Sequence, residues 1–321
     1  MNFFSSDAFL QSLAAAMFPG NRASIETFRV DDRAWRLLVI DGRKVITDMP
    51  FLDFVEPVGQ TPPDAKKLEF LPRVAFDTVP IEAWSPVAPG SDVEPGPFVD
   101  WSRFATWQDF LAWVGRNGWS SDVPRKRRKL ERDLGPVKLT FHDPRPGVIQ
   151  DLMRWKSQQY VSTGVRDLFR DPAWVRFFDE LSSRDALLVT TLSAGDRVVA
   201  VHAGTRYDGR FYWWIPAYDP ELSRYSPGKI LLHDIMERSQ AGGDRVFDFL
   251  IGGEAYKFQY ATDVRIVRSA GNTPLALRLN RFLYRQLKEA LQKSPELEAQ
   301  LIRLRGVVRN WPVGAKQSVA G

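Results

Sequence analysis

Residues 210–229 read RFYWWIPAYDPELSRYSPGK. The first nine, Arg210–Tyr218, are aromatic and apolar in the manner of a buried strand, and Asp208-Gly209 just before them is a hairpin turn signal. A turn-rich segment follows. Pro227 suits a first helical position, because the amide hydrogen it lacks would have no partner there. Ser226 stands where a side-chain cap is expected, and Gly242-Gly243 closes a helix over Pro227–Ala241. The segment is therefore strand, turn, helix. Helix N-termini present unpaired N–H groups and partial positive charge. Gly228 leaves its first turn bare, and Arg224 and Lys229 add two cations, so the turn suits a pyrophosphate. A capped helix with two surface bases would show the same pattern.

On either side of this segment the order of elements is regular. Val137–His142 reads as a strand, Pro146–Tyr160 as a helix, and Asp171–Ser182 as a second helix with Asp171 as cap. Strands follow at Ala186–Leu192, Arg197–Tyr207 and Arg210–Tyr218. After the Pro227 helix come a strand at Val246–Ile251, a short segment Glu254–Ala261 and a strand at Val264–Ser269. This describes an antiparallel meander with one helical crossover.

Nearer the N-terminus, Ser5–Phe18 has helical periodicity, with strand-like runs at Ser24–Val30, Ala34–Ile40 and Lys44–Asp48. Two Pro/Gly-rich stretches, Glu56–Lys67 and Ser85–Pro97, read as loops around a strand at Leu68–Phe76. Trp101, Phe104, Trp107, Phe110, Leu111 and Val114 mark a helix packed on the core, with Thr106 and Asp109 as a capping box. The run Arg125–Arg132 is a solvated basic helix or a polyanion contact.

Composition is globular, with 44% hydrophobic and 26% charged residues in 321. The absence of cysteine excludes disulfides, thiolate metal sites and an acyl-cysteine intermediate. Only His142, His202 and His233 could serve a histidine metal centre, so no metal is expected. The net charge of +5 suits phosphorylated ligands and is modest for a DNA-binding protein, and no DNA partner is expected. Met1–Phe18 lacks a basic n-region, and the apolar runs are of strand length, so the expected location is the cytoplasm.

The element order, the stretch Ala217–Gly228 and the later stretch Phe247-Asp248-Phe249-Leu250-Ile251-Gly252-Gly253-Glu254-Ala255-Tyr256-Lys257 resemble the GNAT-superfamily acyltransferases. The resemblance is to the bacterial cellulose-biosynthesis (CelD-type) family, which is related to the Fem-type aminoacyl transferases. It covers about Val123–Ala270. It implies an α+β fold, a mixed but mostly antiparallel sheet flanked by helices. The helix-then-strands order of the first half allows a second, degenerate copy, giving a tandem arrangement. The expected divisions are 1–118, 119–273 for acyl-CoA binding, and a helical tail at 274–321.

The resemblance also implies acetyl-CoA or another acyl-CoA as co-substrate, bound along Ile215, Pro216 and Ala217. Its pyrophosphate would meet Arg224, Ser226, Pro227, Gly228 and Lys229. The family's Arg/Gln-x-x-Gly-x-Gly/Ala loop is incomplete here, because Lys229 or Ile230 stands where the second small residue belongs. The implied reaction is direct attack of an amine on the acyl carbonyl, with oxyanion donors among the amides near Ile215–Ala217. Tyr256 is the first candidate acid and Tyr260 the second. Lys257 matches the lysine of the family's Tyr-Lys pattern, which contacts the acceptor or the developing charge. Asp248, in an apolar strand, and Glu254 are candidate bases; burial could raise the pKa of Asp248, and its structural counterpart is a buried hydrogen bond. His202 reads as a core histidine.

Three functions fit: an acyl-CoA-dependent N-acyltransferase acting in polysaccharide or envelope metabolism, an aminoacyl-tRNA-dependent Fem-type ligase, and a catalytically silent scaffold. The acceptor, a small molecule or an envelope precursor, is not encoded in any motif. In the tail, Leu275, Leu279, Phe282, Leu283 and Leu287 form a stripe flanked by Arg278, Arg281, Arg285 and Lys288. Such a helix packs on its own domain or lies on a membrane surface.

Overall fold

The computed structural model describes residues 1–87, 91–116, 122–145, 147–277 and 279. Among them, strands β1 (Ala23–Val30), β2 (Arg33–Ile40), β3 (Lys44–Ile46) and the two-residue β4 (Lys66–Lys67) form a four-stranded sheet in the order β3-β2-β1-β4. A second sheet has eight strands. These are β5 (Phe70–Pro80), β6 (Glu94–Asp100), β7 (Val137–Thr140), β8 (Leu188–Ala194), β9 (Arg197–Tyr207), β10 (Arg210–Tyr218), β11 (Val246–Asp248) and β12 (Asp263–Gly271). Their order is β5-β12-β6-β11-β10-β9-β8-β7. All its pairings are antiparallel except β10 with β11, so the sheet is mixed and the fold is α+β.

The helices are α1 (Asp7–Met17), α2 (Trp107–Arg116), α3 (Val123–Leu134), α4 (Val148–Ser162), α5 (Pro172–Ser183), α6 (Pro227–Ala241) and α7 (Ala255–Tyr260). The large sheet has a hydrophobic core on each face. One holds residues of α1, α4, α5 and the small sheet; the other holds residues of α2, α3, α6 and α7.

Local chemistry sets most of these boundaries. Ser6 Oγ accepts from the Phe9 amide at 3.2 Å and starts α1. Asp171 Oδ1 accepts from the Ala173 amide at 2.9 Å and starts α5. Thr106 and Asp109 exchange bonds, 2.9 and 3.2 Å between each backbone amide and the other's side chain. The turn Asp208-Gly209 has positive φ at both residues, 48° and 69°, as the tight link between β9 and β10 demands.

Two expectations need correction. The stretch ending at Pro97 is not all loop. Its last residues begin β6, which lies between β11 and β12. The carbonyls of Pro97 and Pro95 accept from the amides of Phe249 and Gly252, at 3.1 and 2.9 Å. Proline is tolerated because the N–H it lacks would point the same way, towards a neighbour that is irregular beyond Asp248. The strand expected over Val246–Ile251 accordingly stops at Asp248, and Leu250 adopts φ 61°.

The tail begins after β12 with Leu275 at 74% and Leu279 at 55% exposure, so its first turn does not pack its leucines on the domain. Phe282, Leu283 and Leu287 lie outside the described residues.

Candidate functional site

The site follows from how β10 and β11 run together. They pair in parallel at Arg210↔Val246, Phe211↔Phe247 and Tyr212↔Asp248, and then part. On its other edge β10 stays on β9 to Tyr218, with a bulge between Tyr212 and Ile215. The result is a wedge whose walls are the last third of β10 and the chain from Phe249 into α7.

The bulge is held by His202. Its Nε2 accepts from the Trp214 amide at 3.1 Å, and its ring stacks on Trp213 with centroids 4.3 Å apart. Burial holds this imidazole at a pKa of about 3, so it is neutral. His202 is a structural residue of the core. The bulge turns Trp214 towards α1 and α5, where its ring meets Phe3, Phe4, Phe9, Phe51, Phe177 and Phe178.

Across the wedge, Trp213 Nε1 donates to the Tyr256 hydroxyl at 3.2 Å. Burial pushes this phenol to about 12, with the Trp213 bond opposing and Glu254 adding slightly. Tyr256 thus keeps its proton and has that proton free to donate. Tyr260, the second candidate acid, is 1% exposed and stacked with Phe110 and Phe249 inside the core.

Lys257 is 6% exposed. Its Nζ donates to the Ile251 carbonyl at 2.8 Å and pairs with Glu254 Oε2 at 2.9 Å. Glu254 is largely exposed and serves as this partner. Asp248 is fully buried. Its Oδ1 accepts from the Leu250 amide at 2.9 Å, and Oδ2 lies 2.9 Å from Arg265 Nη1. It is committed to holding β11 and β12 together, which is a structural task, not that of a base.

Two further ionisable groups, marked by no sequence motif, lie within electrostatic reach of Lys257. Lys156, on α4, donates from Nζ to the Pro216 carbonyl at 3.3 Å and to Gln159 Oε1 at 3.1 Å. Burial lowers this ammonium to about 8; Glu254 opposes the shift and Lys257 adds to it. Asp53, on the loop between β3 and β4, is half-buried, and its carboxylate has no hydrogen-bond or ion-pair partner among the described residues. Burial raises it to about 7, against the pull of Lys257 and Arg73 and with a push from Asp248 and Glu94. The loop is anchored by Phe51, which sits at φ 66° with its ring against Trp174, Phe178 and Trp214. A bulky residue held in left-handed backbone marks a position fixed by its surroundings. Sequence carried one usable signal for Asp53, a lone carboxylate among apolar neighbours in Phe51-Leu52-Asp53-Phe54-Val55.

The turn into α6 is more occupied than its sequence suggests. Ser226 takes the cap position at φ 53°, ψ 51°, but its side chain makes no capping bond, because left-handed backbone turns it away. Its carbonyl accepts from the amides of Lys229 and Ile230 at 3.0 and 3.3 Å, which leaves Gly228 as the amide of the first turn not engaged this way. A Cβ on Gly228 would lie 3.2 Å from the Tyr218 ring, so that ring occupies the space beside it. Lys229 Nζ is 2.5 Å from Asp122 Oδ1. Arg224 lies over the Tyr225 ring and donates to its hydroxyl at 2.7 Å. Ile215 and Ala217 are buried, and Pro216 has no amide hydrogen to offer. The basic helix α3 packs on α6, with Arg127 on Asp234 and Lys126 Nζ on the Arg224 carbonyl at 3.2 Å.

Residues 120–258 match the family model described as the acetyltransferase (GNAT) domain. Among solved structures the chain is similar to FemX, at 9% identity and a TM-score of 0.49 over 82% of this chain and 92% of that one. It is also similar to L-PGS from Bacillus licheniformis, at 9% identity and 0.45 over 89% and 98%. A tandem GNAT protein from the clavulanic acid biosynthesis pathway aligns at 13% identity and 0.38 over 84% and 97%. No curated protein matches the chain by sequence.

Proposed function

We propose that the GNAT acetyltransferase domain carried by residues 120–258 moves an acyl group from a CoA thioester to an amine, with the chemistry in the wedge between β10 and the start of α7. One observation carries this reading. The two parallel strands separate after three residue pairs, and a proton-bearing phenol, a buried ammonium and an unpartnered carboxylate gather at the opening.

Each group has a task. Asp53 takes the proton that the attacking amine must lose, a role suited to a carboxyl with a pKa near the working pH. Lys257 stabilises negative charge developing on the carbonyl oxygen; two of its three hydrogens are already bonded, which fixes its direction. Tyr256 gives its proton to the departing thiolate. The new C–N bond forms as the C–S bond breaks, and solvent returns the proton from Asp53 to Tyr256. The CoA arm would lie along β10 with its diphosphate towards Gly228.

A second reading has a specific observation behind it. Tyr218 beside Gly228, Lys229 on Asp122 and Arg224 on Tyr225 leave the diphosphate turn with few free donors. A donor activated as an aminoacyl ester, such as an aminoacyl-tRNA, would not need that turn.

The test is thermal shift and CoA release with purified protein, acetyl-CoA and longer acyl-CoAs, in the presence of amine acceptors. Binding that is lost in Arg224→Ala or Gly228→Trp, with thiol release that depends on Tyr256, is the expected result. No shift with any acyl-CoA, together with a shift on charged tRNA, would replace the first donor by the second.

A further inference from the structure

We infer that Lys156 of α4 is a second donor to the reaction's oxyanion beside Lys257, standing where β10 itself has no amide to give. The inference rests on the acyl-transfer reading of the wedge and adds a catalytic residue to it.

In an antiparallel ladder, the N–H and C=O of one residue point to the same side, and alternate residues face opposite sides. The Pro216 carbonyl accepts from Lys156, so Pro216 faces the open wedge and its neighbours Ile215 and Ala217 face β9. Proline lacks the N–H that would accompany that carbonyl. The Trp214 amide is taken by His202 Nε2. From Trp214 to Ala217, therefore, β10 aims no amide into the wedge, and a tetrahedral oxyanion there needs another donor.

Lys156 Nζ stands at that edge. Its two bonds, to the Pro216 carbonyl and Gln159 Oε1, use two of its three hydrogens. Lys257 on the opposite wall likewise uses two, on the Ile251 carbonyl and Glu254. Among the described residues neither third hydrogen has an oxygen or nitrogen acceptor; the Lys156 ammonium also lies over the Tyr160 ring, 5.5 Å from its centre. The two ammoniums and Glu254 lie within electrostatic reach of one another, and Asp53 within reach of Lys257. Once Asp53 has taken the amine's proton, the two ammoniums face one remaining carboxylate, Glu254, and are short of negative charge. The oxyanion supplies it, at the moment when the amine nitrogen bonds to the carbonyl carbon and the carbonyl's π electrons move to oxygen. When that pair returns, the C–S bond breaks and the charge leaves with the thiolate, which Tyr256 protonates. Such help in the transition state and not in the ground state is what lowers a barrier.

Lys156 is a catalytic residue on this account, so its loss falls on kcat more than on KM. Lys156→Gln should lower kcat by about 100- to 1000-fold, as removal of an oxyanion donor does. Lys156→Arg should restore most of it, and should abolish the fall of kcat that the wild type shows as pH rises through about 8. Equal kcat in Lys156→Gln and wild type, or a basic limb unchanged in Lys156→Arg, would overturn the inference. If the wild type itself transfers no acyl group from any donor, the proposed function fails, and Lys156 is judged by a measurement without turnover. The lysines are labelled by reductive 13C-methylation, and the Lys156 resonance is identified by its loss in Lys156→Gln. Titration with inorganic phosphate as the oxyanion probe should raise the pH midpoint of that resonance, whereas an unmoved midpoint would overturn the anion site.

Discussion

The indole Nε1 of Trp213 and the phenolic oxygen of Tyr256, 3.2 Å apart, join β10 to α7 at the point where β10 and β11 part. The bond spans the mouth of the wedge. It also orients the phenol, because an oxygen that accepts from an indole has its own hydrogen left to donate.

Replacing Tyr256 by Phe tests both tasks at once. Loss of the acid should lower kcat by about 100-fold or more. Loss of the acceptor leaves a buried N–H on Trp213, which costs about 1–3 kcal/mol. Stopped assays and denaturant unfolding of the same variant separate the two. A variant with unchanged kcat would remove Tyr256 from the chemistry.

The rate should depend on pH as a narrow bell. Asp53 must be ionised to accept a proton, so the rate climbs as pH rises through about 7. Lys156 must be charged, so the rate falls as pH rises through about 8. Asp53→Asn should lower kcat and erase the acid limb. The linkage has a definite sign as well. A carboxyl whose folded pKa is raised weakens the fold as pH rises from its unfolded value, near 4, to about 7. Asp53→Asn should therefore melt higher than wild type at pH 8 and show little gain at pH 4. An acid limb that persists in this variant would assign the base elsewhere.

Much of this arrangement is legible in the sequence. The meander from β8 to β10, the Asp208-Gly209 turn and the Pro227 helix are each written in local chemistry, and local chemistry survives folding. What stayed hidden depended on partners far along the chain. The Pro95-Gly96-Pro97 run reads as loop because the features that make it a strand, the amides of Phe249 and Gly252 and the edge of β12, are supplied by the other half of the protein. Asp53 and Lys257 likewise come from opposite halves. Ser226 and Gly228 read as an open diphosphate turn because sequence spacing is silent on where Tyr218 places its ring.

Gly252 is a fixed point of the site. Its φ is 139°, outside the range of ordinary side chains, and a Cβ there would lie 2.2 Å from Glu254 Oε2 and 2.7 Å from Lys257 Nζ. Gly252→Ala should therefore displace the Lys257 ammonium and lower kcat by about 10- to 100-fold. The backbone strain adds about 1–3 kcal/mol of lost stability. Full activity in this variant would show that the position of Lys257 is unimportant.

The bulge in β10 is the other fixed point, and Gly204 tests it. A Cβ at this position would lie 2.2 Å from His202 Cε1 and 2.5 Å from the Tyr212 carbonyl. The carbonyl belongs to the ladder and cannot yield, so the imidazole must move. The Trp214 amide then loses its acceptor, and the stacked Trp213 ring loses its partner. Overpacking of this kind costs about 1–3 kcal/mol, and the orphaned amide adds about as much again. Gly204→Ala should lower the urea midpoint accordingly. Because the same bulge sets Trp213 against Tyr256 and turns the Pro216 carbonyl to Lys156, kcat should fall in the fraction that remains folded. A variant that unfolds earlier yet turns over at the wild-type rate would mean that the bulge serves the core alone.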